Sequence, residues 1–289
     1  SLSSGMTNLP ENIRNLGKIQ FKGKFTGFID DFVTYGSFNT KLGNFSTDLL
    51  FKPLKKGEIS YSGNLKSQDF ELGELIFNKN ELIGKITLDA KVNGILRDNH
   101  GIEANIEGKI NGFEVNDYRY QNIALSGALK DNSFDGNLVV EDPNCELDFI
   151  GRISFDNKLA DFDFNANVTQ ANLYKLNIDR SDPSSFASFL LQANGTGRNL
   201  DEFNGEINLL NSFFSKSDKQ IQLYGFRLMA KNTLDTSKIT IRSDFLDADI
   251  AGKYEFKYIN HSLKHYINKF IPSLFSDFGE FGHSPQTDF

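Results

Sequence analysis

The sequence predicts an all-β protein folded as an antiparallel meander, and three observations predict it. Apolar and polar residues alternate over long stretches, clusters of Asn, Asp, Gly and Ser interrupt them, and helical periodicity is nearly absent. Period-two alternation marks a strand, because successive side chains leave opposite faces of the backbone. One-sided alternation also indicates antiparallel pairing with one wet face; parallel strands, covered on both sides, read as continuous apolar runs.

The first alternating segment is Lys18–Phe25, with Ile19, Phe21 and Phe25 opposite Lys18, Gln20, Lys22 and Lys24. The clearest is Ile102–Asn111, where every second residue is apolar or Gly and the others are charged or amide. Leu147–Phe155 follows the pattern with one exception, Ile150, and Asp161–Val168 and Asp247–Phe256 repeat it. Between them lie turn clusters at 97–101, 130–133, 142–144, 156–158 and 235–237. Asn and Asp tolerate left-handed backbone and bond it two residues on, so these read as hairpin loops. In mid-chain they recur about every 8–12 residues, the rhythm of a meander of short strands.

Gly23, Gly108, Gly112, Gly127, Gly151 and Gly252 fall in phase with the apolar residues rather than in the turns. Inside a strand, Gly marks a bend or a close approach. Two readings stand: relief of crowding on the inner face of a curved sheet, or small residues fitted around Phe in a sandwich core. Two segments have helical spacing. Ser181–Leu191 is entered through Asp182-Pro183. Asn260–Ile271 places Leu263, Tyr266, Ile267, Phe270 and Ile271 on one face, with Asn260 as N-cap and Pro272 as stop. The expected division is 1–6, a vector remnant; 7–256, the sheet; 257–275, an amphipathic helix; and 276–289, a loosely ordered tail.

Composition narrows the function. The 289 residues carry a net charge of −7 with no strongly basic stretch, which disfavours nucleic acid as a partner. The single cysteine, Cys145, forms no internal disulfide or zinc site. No apolar run reaches the ~18–20 residues that span a bilayer. Phe is abundant (28) while Trp is absent, within a modest hydrophobic fraction of 39%. That suits one apolar surface better than a thick two-sided core.

Enzyme signatures are missing, so no catalytic residue, metal or cofactor is expected. Gly195-Thr196-Gly197 lacks the third glycine and the strand–helix context of a phosphate loop. His261 and His265 stand four apart on the expected helix, but the Glu of a zinc-protease motif is not beside them. Asp161, Asp163 and Asn165 alternate with Phe162, Phe164 and Ala166, and read as the wet side of a strand rather than a calcium loop. No carboxylate pair stands out for glycoside hydrolysis.

What remains is the apolar face. In a regular meander Phe21, Phe25, Ile102, Ile106, Ile110, Leu125, Leu129, Phe149, Ile153, Phe155, Phe162, Phe164, Ile250 and Phe256 project to one side. Such a face is covered by another layer or offered to something apolar. Periodicity alone leaves a sandwich, a barrel and a long curved sheet equally open.

One resemblance bears on that choice. Tyr118–Gly127 is followed by Phe134-Asp135-Gly136-Asn137-Leu138 and then by Glu141–Gly151, with its Asp142-Pro143-Asn144 turn. In this order the pieces resemble TamB/AsmA-like proteins of Bacteroidetes, relatives of the bridge-like lipid transfer proteins. Phe164–Val168 with Ala171–Asn177, and Phe256-Lys257-Tyr258 leading to Phe270–Phe275, look like the same family; the likeness covers roughly Leu16 to Phe275. It implies an open β trough with an apolar concave face plus a short amphipathic C-terminal helix. It also implies a periplasmic segment of an inner-membrane-anchored protein, with the anchor outside this stretch and an Omp85-type outer-membrane barrel as partner. The implied function is conduction of phospholipid acyl chains along the groove. A scaffold for outer-membrane protein assembly by β-augmentation is the alternative, and a glycan-binding or glycan-cleaving β protein the second. The residues above would line the groove and bind lipid. The resemblance carries no catalytic residue.

Overall fold

The computed structural model describes residues 14–28, 31–54, 58–77, 82–96, 103–130, 133–154, 160–197, 202–233 and 236–252. The alternating segments become β1 (Gln20–Phe28), β2 (Asp31–Thr40), β3 (Gly43–Pro53), β4 (Ile59–Glu71), β5 (Ile83–Leu96), β6 (Glu103–Val115), β7 (Tyr118–Tyr120) and β8 (Ile123–Lys130). They continue as β9 (Ser133–Asp142), β10 (Cys145–Ser154), β11 (Ala160–Asn172), β12 (Phe186–Gly197), β13 (Asn204–Lys216), β14 (Lys219–Asn232), β15 (Ser237–Ser243) and β16 (Asp247–Gly252). A six-residue helix, α1 (Leu72–Phe77), follows β4.

All 16 strands belong to one antiparallel sheet, in which each strand pairs with the next in sequence. Only β7 departs from that path: it folds back on the end of β6, which itself pairs with β8. The two terminal strands do not meet, so the sheet is open. An all-β antiparallel meander is what the alternation predicted, and the open form excludes a closed barrel. The expected helix at 257–275, the tail at 276–289, the start at 1–6, the turns at 97–101 and 156–158, and His261 and His265 lie outside the described residues.

Two expectations are corrected. Ser181–Leu191 is not a helix: 173–185 is a run of turns, and Phe186 opens β12. The Asp182 side chain does accept from the Ser184 backbone N–H at 2.8 Å, as an N-cap would. From Phe186 on, however, the chain pairs with both β11 and β13. Ladders on two sides outweigh a helix too short to be stable alone. Gly112 is also out of phase with the apolar face. The β5–β6 register shifts between Thr87 and Leu88, so Gly112 pairs with Thr87 and Phe113 turns to the apolar side. A Cβ on Gly112 would meet the Arg119 guanidinium, its nearest atom 2.3 Å away.

Such irregularities gather toward one end of the strands, at Ser67/Phe70, Thr87/Leu88, Glu146/Leu147, Val168/Ala171 and Ser188/Leu190. A bulge bends its strand and increases its twist, so together they curl this end of the sheet over the apolar face. The curl is deep enough for distant strands to meet. β6 and β11 lie four spacings apart along the sheet, roughly 19 Å. Nevertheless the β6–β7 turn touches the loop after β11. Asn116 Nδ2 donates to Asn177 O at 2.7 Å, and Asn177 Nδ2 donates to Asn116 O at 3.1 Å. Arg180 and Asp117 add an ion pair at 3.2 Å. Asn116, Asp117 and Asn177 all have positive φ (52°, 60° and 60°), which Asn and Asp accept more readily than other side chains.

Candidate functional site

The candidate site is the apolar face itself, and the register defines it. Four parallel rows of side chains run across the sheet. The first passes from Phe21 through Phe38 and Phe45 and on to Leu88, Ile110, Ile123, Val140, Leu147 and Val168. Its one polar member in that span is Ser67, opposite Phe45 and Leu88. The second carries Leu125, Leu138, Phe149 and Ala166, then Leu191, Leu209 and Phe226. In the third, Val92 and Ile106 precede three glycines (127, 136 and 151), after which come Phe164, Ala193, Ile207, Leu228 and Ile241. The fourth joins Leu129, Phe134, Ile153 and Phe162, and reaches Ile250 through Ala230 and Ile239.

Phe21, Ile106, Ile110, Leu125, Leu129, Phe149, Ile153, Phe162, Phe164 and Ile250 therefore share one face. Phe25 belongs to β1, opposite Thr34. Ile102, Phe155 and Phe256 lie outside the described residues. The exception read from the sequence, Ile150, is 57% exposed and belongs to the other face.

These positions are not equivalent. Ile106 and Ile110 are buried, Ile106 beside Ala90, Val92 and Phe134. Leu125, Leu129, Phe149, Ile153, Phe162 and Phe164 are half-buried. Ring contacts run along the sheet rather than across it: Phe21–Phe38 at 4.9 Å, Phe38–Phe45 at 4.7 Å, Phe149–Phe164 at 5.2 Å. The glycines in the rows act as sockets. A Cβ on Gly127 would lie 2.7 Å from Phe134 Cε2, and one on Gly136 2.9 Å from Phe134 Cζ. Phe21 lies over Gly23 and Gly36 in the same way, and Phe203 over Gly195. In-phase glycine thus seats aromatic rings on the sheet surface, including the Gly195 of the rejected phosphate motif.

One end of the face is covered. The β2–β3 turn contributes Leu42, α1 contributes Leu72 and Leu75, and β7 contributes Tyr118 and Tyr120. The loop after β11 adds Leu173 and Leu176, which pack on Cys145, Val168 and Ala171. Leu42 and Leu176 are each 1% exposed, the most buried large side chains described. Polar groups here are satisfied locally. Asp142 accepts from Tyr118 Oη at 2.5 Å, the Gln121 N–H at 3.0 Å and the Asn144 N–H at 2.8 Å.

The chemistry of the face is inert. Burial pushes the Cys145 thiol up to about 11 and Tyr120 up to about 12, so both stay protonated at neutral pH. Burial also raises Tyr61, whose hydroxyl donates to Glu103 O at 3.1 Å. Among the described residues no group of His, Cys, Asp or Glu could hold a metal ion. Asp161, of the rejected calcium set, pairs with Arg152 at 3.3 Å, and Asp163 and Asn165 are exposed on the polar face.

Sequence reasoning missed the covering segments and the rows through β2–β5. The latter had a signal: Phe32, Thr34, Gly36 and Phe38 alternate with Val33, Tyr35 and Ser37, although Thr and Gly dilute the apolar phase. For the cover, Asn116-Asp117 between two strand patterns was the readable sign of a tight turn. A scan against protein-family models gave no match, and neither the curated proteins nor the solved structures gave a significant one.

Proposed function

We propose that this chain is a lipid-conducting segment, its apolar face holding phospholipid acyl chains while head groups stay in water. The observation that carries the reading is the uncovered part of the four-row face, backed by a mainly polar surface on the other side of the sheet. From the first row to the fourth is three two-residue steps, roughly 20 Å. That is close to the ~15 Å thickness of one leaflet's hydrocarbon. The rows run across the strands, so a chain can shift from one strand to the next while meeting the same kind of surface. Burial at about 25 cal/mol per Å² of apolar area then holds it without fixing it at one point. The resemblance to TamB/AsmA-like proteins supports this reading, in which the segment would lie in the periplasm as part of an inner-membrane-anchored protein facing an Omp85-type barrel.

The test is organic extraction and mass spectrometry of protein purified without detergent. Retained phospholipid near one per chain or more is the expected result, reduced in Phe164→Asp. A soluble, lipid-free protein would sink the reading. The open sheet supports a second reading, in which it offers an edge to nascent outer-membrane strands by β-augmentation. Photo-crosslinking from Phe149 or Phe164 separates them: lipid adducts favour conduction, polypeptide adducts the scaffold.

A further inference from the structure

The polar face holds a second feature, on the side opposite the apolar rows. Across β1–β4 the polar face carries a hollow of about 820 Å³. Lys22 and Lys24 line it from β1, Tyr35 and Ser37 from β2, Asp48 from β3, Asn64 and Lys66 from β4. Lys66 is neutralised by Asp89 at 2.7 Å. Among the described residues, Lys22, Lys24 and Asp48 have no ion-pair partner. Some charges elsewhere on this face are paired across strands, as in Arg227–Glu206 and Arg242–Asp249, both at 2.7 Å. Tyr35 is 66% exposed in the middle of the hollow, flanked in register by Lys24 and Asp48.

From these groups we infer that the hollow is a binding site for an acidic oligosaccharide. The two free ammonium groups at one end meet a sugar carboxylate. The Tyr35 ring offers an apolar platform with a polar tip for a pyranose face. Asp48, Asn64 and Ser37 accept from or donate to hydroxyls along the chain. The site crosses three strand spacings, about 14 Å, which suits an oligomer rather than a single ring. Asp48 argues against a bare polyanion, which it would repel at the centre. A membrane surface is argued against by the hollow, which a flat layer of head groups does not enter. Positive charge unmatched in a chain of net charge −7 adds selectivity for anionic over neutral chains.

The experiment is calorimetric titration of the intact protein with a short oligogalacturonate, at low and high salt. A neutral malto-oligosaccharide of equal length, inorganic phosphate and phosphatidylglycerol vesicles are titrated in parallel. Saturable, salt-sensitive binding of the acidic sugar is expected, with the neutral sugar at least about tenfold weaker. K22E/K24E should weaken it by about tenfold or more, the neutral K22Q/K24Q by less, and Tyr35→Ala by about fivefold. These exposed positions leave thermal melting unchanged, and Phe164→Asp on the opposite face leaves sugar binding unchanged. The inference is overturned if the acidic sugar does not bind or binds no better than the neutral one. It is equally overturned if phosphate or vesicles bind as tightly, or if the Lys and Tyr35 variants bind like the parent.

Discussion

Leu176 and Leu129 are the same residue type on the same face of the same sheet, in opposite surroundings. Leu176 belongs to the loop that folds across the ends of β8–β10, and is sealed beneath Tyr118 and Tyr120 with Cys145 and Val168. Leu129 sits in the fourth row, half-buried between Ala104 and Phe134, its exposed side facing the trough. Alternation makes a face apolar; only a segment that crosses the face turns it into core. The covered end behaves as a small closed domain, whereas the rest is a floor held by ladder hydrogen bonds and lateral ring contacts, with buried clusters around Ile106 and around Ile239 and Ile241.

The sharpest way to break this contrast is truncation on each side of it. Leu176→Ala at the covered end, or Ile123→Ala beside it, should cost about 2–5 kcal/mol in urea denaturation. Leu129→Ala on the floor should cost only about 1 kcal/mol, because part of its surface is already wet. Equal losses at the two sites would mean the floor is also a closed core. Ile106 sharpens the boundary: it is 8% exposed, so Ile106→Asp should lower stability as at a core site, while Phe164→Asp keeps the fold.

A smaller effect is expected where an aromatic ring rests on glycine. A Cβ at position 127 would lie 2.6 Å from Asp135 O as well as against the Phe134 ring. Gly127→Ala should therefore destabilise by about 1–3 kcal/mol through overpacking. At Gly225 the nearest atom to a Cβ is 4.0 Å away, so Gly225→Ala in the same assay should be neutral or slightly stabilising.

Smaller still is the clasp that holds the cover. Asn177→Ala removes one donor and strains a left-handed backbone, at a cost of about 1–2 kcal/mol. The effect should concentrate in faster hydrogen exchange over 173–185. Cys145 supplies a second readout, since it packs with Leu176 and its thiol is held protonated. Its alkylation rate in folded protein should rise in Asn177→Ala and stay unchanged in Leu129→Ala.

The least costly break is acid. Hydrogen bonds from Ser181 and Ser185, and the Lys216 ammonium at 3.0 Å, hold the Asp179 carboxyl well below the usual carboxylate range. A depressed folded value means its contribution is complete above the unfolded pKa of about 3.9, and is lost as pH falls below it. Exchange over 173–185 should accelerate, relative to the intrinsic rate, on going from about pH 6 to about pH 3. Asp179→Asn should abolish that added sensitivity. An identical pH response in the variant would remove Asp179 from the clasp.

Much of the fold was legible because one physical rule, two side chains per strand repeat, covers most of the chain. Ile106, Leu125, Phe149 and Phe162 could be assigned to a common face without coordinates, and register confirms that placement. Gly112 could not, because a single shift in register inverts the phase beyond it. The hollow on the polar face was also hidden. Its Lys22, Lys24, Tyr35 and Asp48 come from three strands, and only the pairing sets them side by side.

By itself the sequence determined an all-β antiparallel meander with one apolar and one polar face, since side-chain alternation is a local property of each strand. Tertiary structure decided three further matters: that the sheet stays open, that its bulged ends curl, and that 173–185 and β7 cover one end of the apolar face. The reason is that closure, curl and cover depend on residues far apart in sequence meeting in space. Asn116 and Asn177, at 2.7 Å, are the contact that no periodicity could announce.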